Sequence, residues 1–208
     1  MPNLDAVVKA YDIRGTVPDQ LDETLAHAFG VAFAKFSDAK TIVVGHDMRP
    51  SGLSLIEAFQ NGLTEQGVDV INLGLASTDM LYFASGKLNA PGAMFTASHN
   101  PAQYNGIKCC LSGARSIGID NGLREMKVIA QDVLDGKGPA AAKPQGVVSK
   151  KIMLAEFVDH VVSFIDVDSI SKLRVVADTA NGMGGLVAPA VFDRLRKFEI
   201  EIMYGELD

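Results

Sequence analysis

Apolar positions along this chain follow two rhythms that take turns. After a first apolar piece, AVVKAYDI (6–13), Leu21, Leu25, Phe29, Ala32, Phe33 and Phe36 recur at three- and four-residue intervals, which places them on one face of a helix. TIVVGHD (41–47) is a continuous apolar run and reads as a buried strand. SGLSLIEAFQNGLTEQG (51–67) returns to helical spacing, with Leu53, Ile56, Phe59 and Leu63 expected inward, and VDVINLG (68–74) is another strand. PGAMFTAS (91–98) and NGIKCCLS (105–112) form two further strands around a polar loop, and a helical stretch over 121–135 closes a first unit.

The next segment, GKGPAAAKPQGVVSK (136–150), is poor in large apolar side chains and holds two prolines and three glycines, the composition of a connector. A second unit follows: helix EFVDHVVSFI (156–165), strand LRVVAD (173–178), turn TANGMGG (179–185), helix LVAPAVFDRLRK (186–197) and strand FEIEIMYG (198–205). Such alternation predicts an α/β protein of layered mixed sheets with helices on both faces. The expected division is a complete domain over 1–136, a linker over 137–150 and a partial second domain over 151–208 with an unpaired sheet edge.

Composition narrows the partners. With 48% hydrophobic and 21% charged residues the chain can bury a core and is not a disordered one. A net charge of −6 and no Lys/Arg cluster offer no field for nucleic acid, so an anionic substrate must be met by a local group of cations. No run of roughly 18 apolar residues occurs, and the N-terminal sequence lacks the basic start and apolar core of a signal peptide, so no membrane partner and a cytoplasmic location are expected. Cys109 and Cys110, the only cysteines, are neighbours in a strand and are expected as reduced core thiols on opposite faces.

The chemistry gathers in TASHNPAQYNGIK (96–108). Ser98 follows a strand, where α/β folds place ligand sites, and a serine needs a base or a cation to react at neutral pH. His99 and Lys108 are the nearby candidates; if Ser98 instead carries a phosphoryl group, Lys108, Arg14 and backbone N–H groups would hold its charge. Arg14, in YDIRG, and Arg49, in GHDMRPSG, each carry a planar guanidinium suited to phosphate oxygens, or each pairs with its neighbour, Asp12 or Asp47, in a plain turn. DTANGMGG (178–185) matches neither the dinucleotide nor the P-loop glycine pattern and reads as a tight strand-to-helix turn. His27 and His160 fall in helical segments as face or core residues.

KAYDIRG, GHDMRPSG, TASHNP with NGIK, and DTANGMGG, in that order over nearly the whole chain, resemble the α-D-phosphohexomutase family, in its phosphomannomutase/phosphoglucomutase branch. The resemblance implies that Ser98 is the residue phosphorylated at rest, donating its phosphoryl group to a hexose monophosphate and taking one back from a hexose 1,6-bisphosphate. It implies proton transfer by Lys108 and His99, Arg14 near the transferring group and Tyr11 lining the substrate cleft. It also implies Mg²⁺, held here only through the Ser98 phosphate, because the family's Asp-Gly-Asp metal loop does not occur in this sequence. His46 stands where the family's pattern has Arg. The expectation is therefore the N-terminal part of a hexose-phosphate mutase, an isomerase, inactive when isolated. The alternatives are a short non-catalytic sugar-phosphate-binding protein and a serine hydrolase with Lys108 as base.

Overall fold

The computed structural model describes residues 3–208. A short helix, α1 (Leu4–Val7), leads into β1 (Ile13–Thr16); the first apolar piece is thus mostly helix and bend, and strand begins only at Ile13. Asn3 caps α1 by accepting from Asp5 N–H, which favours one helical turn over an extended start. Then come α2 (Glu23–Ser37), β2 (Thr41–His46), α3 (Gly52–Glu65), β3 (Asp69–Leu75), α4 (Thr78–Leu88), β4 (Gly92–Phe95), β5 (Tyr104–Leu111), β6 (Arg115–Ser116) and α5 (Arg124–Leu134). The remainder is β7 (Val148–Lys150), α6 (Leu154–Val162), β8 (Leu173–Asp178), α7 (Gly184–Arg194) and β9 (Phe198–Met203).

The main sheet is mixed, in the order β1-β5-β4-β2-β3-β7, with β6 beside β5. β4, β2, β3 and β7 run parallel, while β5 is antiparallel to both β4 and β1. Helices cover both faces. Phe29, Phe33, Phe59 and Phe95 join α2, α3 and α5 in one core, and Val43, Leu81, Met94 and Phe157 join α4 and α6 in the other. Alternation sends Cys109 into the first core, and both cysteines are buried and free.

Two sequence expectations shift. Leu53 is exposed and Leu55 takes the inward position, because α3 starts at Gly52 and turns Leu55, Ile56, Phe59 and Leu63 toward α2 and the sheet. The connector region ends in β7, three residues that add to the sheet edge beside β3. Of the expected second unit, α6 packs Phe157 into the core against α4, and the rest is β8 paired in parallel with β9, with α7 between them in sequence; no residue of these last three elements is fully buried. No described helix is long and apolar enough to cross a membrane.

Candidate active site

Strand register builds the site. Arg14 pairs with Gly106, and Met94 with Lys108, so the alternation of side chains puts Asp12, Arg14, Met94, Thr96 and Lys108 on the α4 face of the sheet. The close approach of three strands there depends on Gly106, where a methyl group would lie 2.5 Å from the Ile13 carbonyl oxygen and 2.9 Å from that of Thr96.

Asp12 is buried and joins two cations: its carboxylate forms an ion pair with Arg14 and lies 4.0 Å from Lys108 Nζ. The Arg14–Asp12 pairing foreseen as a plain turn contact is present, but Asp12, in the bend before β1, is buried rather than solvated. Asp12 was not singled out from sequence as a functional residue, although its place inside YDIRG was the available signal. Tyr11, one residue earlier, is 73% exposed and open to a ligand.

Beyond β4 the chain enters the polar loop. Ser98 adopts a left-handed conformation, φ 55°, and its N–H donates to Thr96 Oγ1 at 2.9 Å. The Ser98 hydroxyl is 3.2 Å from His99 Nδ1, and both residues are exposed. Its polar neighbour is therefore His99, while Lys108 faces Asp12. A cavity of about 240 Å³ opens beside Ser98, walled by Asp47, Thr96, the N-terminus of α4 at Ser77 and Thr78, and Gly182 and Met183 of the second unit. The glycine-rich turn thus reaches the serine's cavity, through two consecutive left-handed residues, Ala180 and Asn181.

Arg49 is placed otherwise than expected. It is 7% exposed, and its guanidinium donates to four backbone carbonyls of the serine loop rather than facing the cavity. The pairing with Asp47 is also present, at 3.4 Å. His46 is buried too, its Nδ1 2.8 Å from the Asp47 carbonyl oxygen. His27 contacts Glu65, and His160 lies tilted against Phe83 and edge-on to Phe164, so neither lies at the cavity beside Ser98.

A divalent cation needs several oxygen ligands. Among the described residues no group of three or more His, Cys, Asp or Glu side chains is arranged to hold a metal. These residues alone therefore do not fit a magnesium ion.

Residues 5–129 match the family model described as phosphoglucomutase/phosphomannomutase, alpha/beta/alpha domain I. Phosphohexose mutases of Xanthomonas campestris pv. campestris are 37% identical over 201 residues, covering 96% of this chain and 44% of theirs. The phosphomannomutase of Vibrio cholerae is 37% identical, with 93% and 42% covered. Among solved structures, a phosphoglucomutase/phosphomannomutase family protein from Burkholderia thailandensis superposes with a TM-score of 0.83 at 28% identity, over 100% of this chain and 45% of that one. Parafusin from Paramecium, at 16% identity and a TM-score of 0.76, shares the fold. The chain spans less than half the length of these relatives.

Proposed function

The chain belongs to the phosphoglucomutase/phosphomannomutase family, and from that premise we propose that it carries the phosphoserine part of a cytoplasmic hexose-phosphate mutase site. The observation that supports this most is Ser98, held left-handed beside a cavity in the loop that follows Thr96, with Arg14 and Lys108 on the same sheet face as Thr96.

In this reading Ser98 Oγ bears a phosphoryl group at rest. The Oγ–P bond breaks as a hydroxyl oxygen of the hexose monophosphate takes the phosphorus, and a hexose 1,6-bisphosphate forms. The hydroxyl's proton leaves through His99, and Ser98 Oγ regains one from the Lys108 ammonium or from water. When the bisphosphate returns its other phosphoryl group to Ser98, hexose 1-phosphate and 6-phosphate have exchanged. Arg14 and Lys108 offset the charge of the transferring group, and Tyr11 lines the sugar site. Positioning and charge stabilisation dominate such a transfer. Magnesium belongs to the proposal as a charge-neutralising ion, but its ligands beyond the phosphoserine must come from outside the described residues, so we expect the isolated chain not to interconvert hexose phosphates at a useful rate.

The test is mass analysis after incubation with glucose 1,6-bisphosphate, with Ser98→Ala as control, beside a coupled turnover assay. A phosphoryl group on Ser98 in the wild type alone supports the reading. Unmodified Ser98 with hexose phosphate bound favours a non-catalytic sugar-phosphate-binding protein, and full turnover by the Ser98→Ala chain rules out the carrier role.

A further inference from the structure

An arginine that binds substrate phosphate must reach solvent, and Arg49 does not. Its Nη2 donates to the carbonyls of Ser98 at 2.8 Å and Asn100 at 2.6 Å, and its Nη1 to those of Pro101 at 2.8 Å and Tyr104 at 2.9 Å. Asp47 accepts from the Arg49 backbone N–H at 3.1 Å and forms an ion pair with Nε at 3.4 Å without a hydrogen bond, so the guanidinium is held by the loop carbonyls and its backbone by Asp47.

Four carbonyls turned toward one buried point bring their negative ends together. Buried carbonyls so arranged need donors at their centre. The planar guanidinium offers five N–H donors in a fixed fork, whereas an ammonium offers three around one atom. Ser98 occupies a backbone region unfavourable to residues with a Cβ. Its peptide is pinned on both sides, by Thr96 Oγ1 at the N–H and by Arg49 at the carbonyl. A second tie, Asn105 Nδ2 to Ser51 Oγ at 2.9 Å, holds the far end of the loop to the same β2–α3 connection.

We infer that Arg49 is a positioning residue: by gathering the carbonyls of residues 98–104 it holds Ser98 left-handed and presents Oγ to the cavity, and it makes no contact with substrate phosphate. The need to position Ser98 rests on the proposed carrier role, while the loop architecture does not.

Amide hydrogen exchange of peptides covering 96–105 in the 208-residue chain, wild type against Arg49→Lys and Arg49→Ala, decides the inference. In both variants the loop should exchange about tenfold faster or more while β2 and β4 keep their protection. Phosphorylation of Ser98 by glucose 1,6-bisphosphate should slow by about a hundredfold, with affinity for inorganic phosphate nearly unchanged. Low-millimolar guanidinium should restore part of the rate in Arg49→Ala and none in Arg49→Lys. Unchanged loop exchange overturns the inference, and so does a loss of phosphate affinity as large as the loss of rate. Where the variants fail to fold, the wild-type guanidinium is read by nitrogen-15 NMR: separate, slowly exchanging Nη protons support it, and averaged, fast-exchanging ones overturn it. A wild-type chain whose Ser98 accepts no phosphoryl group defeats the proposed function, and the exchange comparison still decides the role of Arg49.

Discussion

The Asp12 carboxylate lies 4.0 Å from the Lys108 ammonium while pairing with the Arg14 guanidinium. One buried anion thus orients two cations and offsets part of their charge. In Asp12→Asn that negative charge is gone. A unit charge several ångströms from a bound anion in a partly solvated site is worth about 1 kcal/mol, so inorganic phosphate should bind about fivefold more tightly. Transfer to Ser98 should slow nonetheless, since Arg14 and Lys108 lose their common anchor. Calorimetric titration with phosphate checks the first effect; unchanged or weaker binding would remove Asp12 as the counter-ion.

Ser98 has φ 55°. Glycine takes that conformation without steric cost, whereas a Cβ costs about 1 kcal/mol, so Ser98→Gly should stabilise the chain by up to about that amount in urea denaturation while abolishing phosphorylation. Ser98→Val should do the opposite to stability, because a β-branched residue fits the left-handed region worst. A stability order with valine above glycine would contradict the strained serine.

Glycines at the α2–α3 crossing allow backbone contact. A methyl group at Gly30 would lie 2.2 Å from the Phe59 carbonyl oxygen, and one at Gly62 would lie 2.4 Å from that of His27. Neither obstacle is a flexible side-chain end, so Gly30→Ala and Gly62→Ala should each cost about 3 kcal/mol. Gly86, inside α4, has nothing within 4 Å of the same position. There the change to alanine should stabilise by about 0.5–1 kcal/mol through helix propensity. Denaturant midpoints of the three variants give the comparison, and equal signs would refute it.

Burial pushes the thiols of Cys109 and Cys110 up from an ordinary 9.0. The unfolded chain releases these protons near 9.0 while the native chain retains them, so the native state binds more protons above that pH. Stability should therefore fall as pH rises above about 9, less steeply in Cys109→Ala. Iodoacetamide should leave both cysteines unlabelled in the native chain at pH 8 and label both in denaturant. Rapid native labelling would show that the β5 thiols are accessible.

Sequence alone determined most of the alternation of helices and strands, though not α4, and the family, because periodic burial is a local property and TASHNP, NGIK and YDIRG are local words. The face of α2 was legible for the same reason: Leu25, Phe29, Ala32 and Phe33 are all buried where the helical spacing put them. Local pattern gave less at element starts, where the first apolar piece broke into a helical turn, a bend and the start of β1, and Leu53 turned outward. What only the tertiary structure decided is the partner of each charge. An arginine beside a glycine has the same sequence signature whether it faces solvent or the interior. Arg14 and Arg49 looked alike in the chain, yet the register of β1 against β5 sets Arg14 on the α4 face of the sheet with Asp12 and Lys108. The return of the chain through residues 98–104 buries Arg49 under four carbonyls more than 48 residues away. Those contacts arise from strand pairing and loop closure between distant segments, and the free energy of a charge depends on where that closure leaves it.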